Sequence, residues 1–415
     1  MVKIHFLGGC QEVGRNAFLV DSTKRIMLDY GMHVEDQGRP LMPKGKVDYC
    51  FMSHGHLDHL GSSAILHKEK GSTFFGTAPT VDFTNLLLRD SLKIANIEGI
   101  NPGFNHADIL KLNKCYEKVE YGDDFKLGGY KIKIWEAGHI PGAIMTELHV
   151  EDKTILYTGD FKTNPGKLVN GAKYSGKDVD ALIMENTYAT REQPPREKTE
   201  KEFIKAIEET CENGGIALLP SFAIRAPEIL MVLNKYKLNY PIYLDGMSRA
   251  ATEISLAHPN FIKDHDALRK ATDIAIPIEE NEERSNAMKE PCVIVTTSGA
   301  MEGGPVVHYM KHLYSRKDCS LVFTGYQIPG TASRYLADTG RFIIGPIDFK
   351  VKMKMHSFSF SAHADRTELI KFIQKIRPKK CFMIHGDYST KFATEIKGRF
   401  GIDAMAPHAG DTVKI

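Results

Sequence analysis

Apolar and polar positions along this chain follow two rhythms. At the start they alternate. Val2, Ile4 and Phe6 are apolar while Lys3 and His5 are polar, the pattern of a half-buried strand. Asn16 to Val20 and Arg25 to Tyr30 flank Asp21-Ser-Thr-Lys24, which predicts a hairpin. Tyr49 to Met52 is a short continuous apolar run and predicts a buried strand. Helices are predicted from about Leu60 to Lys70 and around Thr80 to Ile97. Alternation returns at Tyr130 to Trp135, and Thr154–Thr158 and Ala181–Met184 read as further strands.

The rhythm changes near Ala189. Glu192 to Lys201 is charged and contains Pro194-Pro195. Beyond it a helix is predicted over Thr199–Glu212, stopped by Gly214-Gly215. Short continuous apolar runs follow at Ile216–Pro220, Pro241–Asp245, Cys292–Thr297 and Ser320–Thr324. Helical patterns separate them at Ala226–Lys237, Ser248–Ala257 and Val306–Tyr314. Such alternation implies a parallel sheet flanked by helices. The strand-rich texture returns from about Phe342. Phe358 to His363, a helix over Arg366–Ile376 and a strand over Cys381–Ile384 then lead to His385-Gly-Asp387.

The strands of the first and last parts share a habit: each ends on a polar residue suited to metal or proton chemistry. His54-Gly-His-Leu-Asp-His59 follows Tyr49–Met52. His139 follows the Tyr130 strand, Asp160 the Thr154 strand, Glu185 the Ala181 strand and His385 the Cys381 strand. Imidazole with carboxylate and no thiolate suits a zinc-like ion at a catalytic site better than at a structural one. His54, His56, Asp58, His59, His139, Asp160 and His385 are about the number of donors that two ions need, with Asp160 the candidate bridge. Asp29, also at a strand end, is placed to accept an imidazole N–H and orient a ligand.

Composition narrows the class. A chain of 415 residues, 42% hydrophobic and 26% charged, is globular, and its length suggests two domains. No apolar run approaches the ~20 residues that span a bilayer, so no membrane is expected. The alternating N-terminus is not a signal peptide. Seven scattered cysteines without a CxxC pair read as reduced thiols of a cytoplasmic protein. The net charge of +2 requires any phosphate-binding surface to be local. Lys350, Lys352 and Lys354, and the cluster Lys375, Arg377, Lys379 and Lys380, read as solvated faces ahead of a phosphate track.

Asp29, His54-x-His-x-Asp-His59, His139 and Asp160, in that order, resemble the metallo-β-lactamase superfamily. Glu185, a long insertion, Phe360-Ser-Ala-His363 and Ile384-His385-Gly386 narrow the resemblance to its β-CASP nucleases. Gly8 to Arg15 and Thr297 to Pro305 look most like the endonuclease subunit of the cleavage and polyadenylation factor and its archaeal and bacterial relatives. They are similar, more distantly, to ribonuclease J. With a first strand starting at residue 2, the chain resembles the short archaeal class that lacks a KH-type module.

The resemblance implies an α/β chain: a four-layer αββα metallo-β-lactamase fold over residues 1–185 and 356–415, with a β-CASP domain inserted over 186–355 and the active site in the cleft between them. It implies that His54, His56 and His139 bind one zinc, that Asp58, His59 and His385 bind the other, and that Asp160 bridges. Manganese is the other ion these donors accept. Asp58, Glu185 and His363 are the catalytic candidates. A carboxylate beside the His363 imidazole would hold its tautomer, and the ring would protonate a 3′-oxygen leaving group. Ser298, Gly299, Ser361 and, in the loop Thr324–Arg334, Arg334 match positions that meet the RNA backbone in relatives. A Gly that relatives place before Arg225 is absent here, which removes the basis for a role there. The implied function is a dinuclear zinc ribonuclease acting on single-stranded RNA, 5′→3′ exonucleolytic ahead of endonucleolytic 3′-end processing. A DNA nuclease, a glyoxalase II-like thioester hydrolase and a non-catalytic subunit are the alternatives. A homodimer and an RNA-processing or exosome-like complex stay open as partners.

Overall fold

The computed structural model describes residues 1–33, 37–325 and 327–415; Tyr326, within the Thr324–Arg334 loop, lies outside them. The chain forms two compact units, Met1–Glu192 with Ala362–Ile415, and Gln193–Ser361.

The first unit holds two seven-stranded sheets. One runs in the order Thr412–Lys414, Lys3–Gly8, Ala17–Asp21, Arg25–Leu28, Tyr49–Phe51, Thr73–Gly76, Tyr116–Lys118. The other runs Asp403–Met405, Lys380–Ile384, Ala181–Glu185, Lys153–Tyr157, Ile144–Val150, Tyr130–Glu136, Asp124–Leu127. Alternation decides which residues face which layer. Val20, Ile26, Leu28, Phe51 and Phe75 join a core shared with Ile132, Ile134, Leu148, Ile155, Tyr157, Ile183 and Phe382 of the other sheet. Their neighbours Leu19, Met27, Cys50 and Phe74 turn the other way. They pack on Ala64 and Leu66 of helix Ser63–Lys70, Leu88 and Leu92 of helix Ala78–Glu98, and Ile109 and Leu112 of helix His106–Lys114. Helices Arg366–Ile376 and Ser389–Phe400 belong to the second sheet. Phe372 meets Phe161 at 4.7 Å between ring centroids, and Ser389–Phe400 packs on Lys380–Ile384. This is the four-layer αββα arrangement.

Aromatic pairs join the two sheets. Phe6 lies 4.9 Å from Phe382, and Phe18 lies 5.5 Å from Tyr157, between ring centroids. Phe382 is fully buried, so Phe382→Ala is expected to cost about 3–5 kcal/mol through lost transfer energy and a residual cavity. Urea unfolding followed by tryptophan fluorescence reads this directly, because the single Trp135 lies in the same sheet as Phe382. A midpoint unchanged from wild type would contradict the sandwich core.

The second unit is built on six parallel strands in the order Ala275–Ile278, Ile242–Asp245, Cys292–Thr296, Ile216–Pro220, Ser320–Phe323, Lys354–Ser357. The four inner strands are the continuous apolar runs of the sequence, because a parallel sheet covered on both faces offers no solvated side. The edge strands Ala275–Ile278 and Lys354–Ser357 are largely exposed and are not among those runs.

One boundary near the ligands differs from expectation. The helix expected from Leu60 begins at Leu57 as the short turn Leu57–Leu60, and a second helix starts at Ser63. Gly61 is the C-cap of the first turn, its N–H on Leu57 O. A Cβ on Gly61 would lie 2.6 Å from both Leu57 O and Met32 Cβ, so only glycine fits between the two helices.

Candidate metal centre

Parallel strands expose their carboxyl ends along one edge, and here two such edges carry the chemistry. In the second sheet Lys153–Tyr157, Ala181–Glu185 and Lys380–Ile384 pair in parallel. Asp160, Glu185 and His385 lie at or just beyond their ends. In the first sheet Arg25–Leu28 and Tyr49–Phe51 pair in parallel, with Asp29 following one and Ser53-His54 the other. His54 and His56 occupy the connection to the turn Leu57–Leu60, which carries Asp58 and His59. His139 follows the strand Tyr130–Glu136.

The seven predicted donors fall into two groups that share Asp160: His54, His56, His139 and Asp160, and Asp58, His59, Asp160 and His385. In the first, His56 Nδ1 lies 3.0 Å from His54 Nε2 and 3.1 Å from His139 Nε2. Asp160 Oδ2 lies 3.6 and 3.7 Å from the same two Nε2 atoms. In the second, Asp58 Oδ2 is 2.9 Å from His385 Nε2 and 3.8 Å from His59 Nε2, and Asp160 Oδ1 is 3.3 Å from His59 Nε2. Asp160 Oδ1 is buried and makes no hydrogen bond. Donors at ~2.0–2.1 Å around one tetrahedral ion stand roughly 3.3 Å apart. The spacing, the converging imidazole nitrogens and the orphaned carboxylate oxygen therefore fit a divalent metal.

Electrostatics separates the two groups. Burial, reinforced by neighbouring histidines, holds His54 and His139 well below the usual imidazole range. Burial brings His56 down to about 4 against the pull of Asp58. These three rings are neutral and offer lone pairs. For His59 and His385 burial also pulls downward, but the carboxylates of Asp160 and Asp58 outweigh it and both rise. Burial pushes Asp58 and Asp160 up, yet the surrounding His59 and His385 hold both below the ordinary carboxylate range. The second group is a self-compensated cluster of opposite charges.

Hydrogen bonds behind the donors fix them. Asp29 is fully buried and sits in the left-handed region at φ 59°, as does His385 at φ 53°. Non-glycine residues adopt this conformation at a cost, and it recurs at functional sites. Asp29 Oδ2 accepts from His59 Nδ1 at 2.6 Å. His139 Nδ1 donates to Ala362 O at 3.0 Å, and Thr187 Oγ1 meets His385 Nδ1 at 2.9 Å. Asn16 Nδ2 reaches Asp58 O at 3.2 Å. Asp29 is visible in the sequence as a strand-end carboxylate, whereas Asn16, Ser53, Tyr157 and Thr187 are not. Only Ser53 left a trace, as a polar residue closing an apolar run.

Beside the donors stand Glu185 and His363. Glu185 is fully buried at the end of its strand. Both its carboxylate oxygens lie 3.1 Å from His363 Nδ1, and Oε1 also accepts from the Phe161 N–H at 2.9 Å. Burial lowers the His363 pKa, but Glu185 and Asp160 raise it further and the net shift is upward. Asp160, Glu185, His363 and His385 also make a third geometrically possible donor group.

Ser298, Gly299, Arg334 and Ser361 belong to the second unit. Ser298 and Gly299 follow the carboxyl end of Cys292–Thr296. Arg334 Nε donates to Asp338 one helical turn on, at 2.8 Å. Arg225 donates to Phe360 O at 3.0 Å. In the basic cluster of the first unit, Arg377, Lys379 and Lys380 pair with Asp178, Asp180 and Asp403, and Lys375 binds the Tyr174 carbonyl. Three of its four charges are thus paired with carboxylates.

A sheet sandwich whose strand ends gather imidazoles and carboxylates, with no thiolate among them, defines a metal-dependent hydrolase. Comparison with known proteins specifies which. Residues 11–201 match the metallo-beta-lactamase superfamily, 226–336 the Beta-Casp domain, and 348–407 the Zn-dependent metallo-hydrolase RNA specificity domain. The chain is 34% identical to "Probable RNase MJ4" of Methanocaldococcus jannaschii, covering all of both chains. It is 32% identical to "RNase aCSPSF2" of Saccharolobus solfataricus, over 99% of this chain and 85% of that one. It is 32% identical to "Transcription termination factor FttA" of Pyrococcus abyssi, over 100% of this chain and 71% of that one. A crystal structure from Enterococcus faecalis shares the fold at TM-score 0.62 and 14% identity, covering 99% of each chain. The chain belongs to the metallo-β-lactamase superfamily, in its β-CASP branch. Among the described residues no helix is long and apolar enough to cross a membrane.

Proposed function

We propose that this protein is a ribonuclease that hydrolyses phosphodiester bonds of single-stranded RNA at a two-metal centre, working from the 5′ end. The observation that carries the reading is the pair of donor groups joined through Asp160. His54, His56 and His139 would hold one ion, Asp58, His59 and His385 the other, and Asp160 both. Zinc suits this set best, with manganese the alternative. Divalent ions held there supply charge stabilisation at phosphorus and bring the pKa of water towards neutrality.

The chain's own groups do the rest. Asp58 and His56 are the two donors that are not fully buried, and the Asp58 carboxylate, its side chain 17% exposed, is the proposed acceptor of a proton from the attacking water. Glu185 grips His363 through Nδ1, so a proton for the leaving 3′-oxygen passes through Nε2. The direction of attack is carried over from the resemblance to ribonuclease J; a second M. jannaschii protein named "RNase J-like protein" is similar to this chain at 34% identity over the full length of both chains. Ser298, Gly299, Ser361 and Arg334 are the proposed backbone contacts.

The test uses one RNA labelled at its 3′ end and prepared with a 5′-monophosphate or a 5′-hydroxyl. Mononucleotides released from the start, faster from the monophosphate and without internal fragments, are the expected result. Discrete internal fragments indifferent to the 5′ end would assign an endonuclease instead. Intact RNA beside hydrolysed DNA or thioester would overturn the reading.

A further inference from the structure

Asp29 stands behind only one ligand by direct contact, yet its hydrogen bonds reach both donor groups. Oδ1 accepts the Ser53 N–H at 2.6 Å. Oδ2 accepts from His59 Nδ1, from the Ser53 hydroxyl and from the Tyr157 hydroxyl, each at 2.6 Å. Ser53 Oγ in turn lies 3.0 Å from His54 Nδ1 and 3.2 Å from His59 Nδ1, whose hydrogen goes to the nearer Asp29 Oδ2. A buried carboxylate only accepts, so the Ser53 hydroxyl spends its one hydrogen on Asp29 and its lone pair is left for His54 Nδ1–H. The chain of donation runs His54 Nδ1–H to Ser53 O–H to Asp29, and Asp29 also receives His59 Nδ1–H. In the neutral form that binds a metal, both rings are thereby fixed as Nδ1–H tautomers, with the Nε2 lone pair facing Asp160 at 3.6 and 3.3 Å. Ser53 is held tightly in turn: a Cβ on Gly159 would lie 2.6 Å from Ser53 Cβ, so that neighbour must be glycine.

We propose that the Ser53 hydroxyl relays the hold of Asp29 to His54, so that one buried carboxylate sets the ring tautomer in both donor groups. Ser53 is a positioning residue, and Tyr157 steadies the carboxylate from the far side. The inference builds on the two-group reading of the centre.

Ser53→Ala removes the hydroxyl and keeps the backbone N–H. Tyr157→Phe removes a different hydrogen bond to the same carboxylate oxygen. Long-range 1H–15N spectra of the imidazoles in the metal-free protein, taken at a pH alkaline enough that both rings are neutral, report each tautomer without metal or RNA. In Ser53→Ala, His54 is expected to become a mixture of tautomers while His59 stays Nδ1–H. In Tyr157→Phe, both are expected to stay as in wild type. Zinc affinity at the His54 group, by competition with a chelator, should fall at least about tenfold in Ser53→Ala. A single Nδ1–H tautomer at His54 in Ser53→Ala, or equal scrambling in both variants, would overturn the relay. A wild-type protein that holds zinc but leaves RNA intact would defeat the ribonuclease reading and leave the relay standing.

Discussion

Replacing Asp160 by alanine is expected to slow RNA cleavage by roughly a thousandfold or more and to end tight metal retention at both donor groups. The size follows from geometry. Asp160 is the one residue common to the two groups, within 3.6–3.7 Å of His54 and His139 on one side and 3.3 Å of His59 on the other. Its loss leaves each group a donor short. Charge stabilisation of several kcal/mol at ~1.36 kcal/mol per tenfold gives about three decades of rate. The carboxylate also balances the imidazoles around it, so removing it unbalances a buried charged cluster. Asp160→Asn keeps the volume and removes the charge, and is the control for misfolding. Its circular dichroism should match wild type while activity and metal content both fall. Wild-type turnover in Asp160→Asn, after stripping and reloading with zinc, would remove Asp160 from the centre.

The seven donors were legible because each terminates or follows an apolar run, and run-then-ligand is visible without coordinates. What supports them was not legible, for physical reasons. Tyr157 reaches Asp29 across 128 residues, through the packing of one sheet on another. The run Thr154–Thr158 shows a strand but not what Tyr157 meets across it. The turn Leu57–Leu60 is hidden for a different reason. Its N-cap is His56, which makes no side-chain capping bond, so the usual Ser, Thr, Asp or Asn signal is absent. By contrast, helix Arg366–Ile376 carries Asp365 and Glu368 in a reciprocal capping box, and its sequence bounds match. In the second unit the runs show parallel strands, but their spatial order is not in the spacing. Cys292–Thr296 inserts between Ile242–Asp245 and Ile216–Pro220, although it follows both in sequence.

His363→Ala is the second large effect, and it discriminates between two roles. As a proton donor to the leaving oxygen, His363 contributes about 10²–10⁴ in rate on RNA. A substrate such as bis(p-nitrophenyl) phosphate releases a weakly basic phenolate that needs no proton, so its hydrolysis should fall by less than about tenfold. Metal content should stay at the wild-type level. The competing role is that of a ligand, since Asp160, Glu185, His363 and His385 also converge. The geometry favours the acid. His363 Nδ1 is gripped by both oxygens of Glu185 at 3.1 Å, and Glu185 is itself committed to the Phe161 N–H. A carboxylate occupied by an imidazole and a backbone amide is a poor candidate for a metal. Glu185→Gln weakens the grip without emptying the space, so it should reproduce part of the loss on RNA and spare the phenolate substrate. The double variant should be little worse than His363→Ala alone, because residues that act as one unit are not additive. Equal loss on both substrates together with loss of metal would make His363 a ligand, and the proton for the leaving oxygen would then have to come from another group.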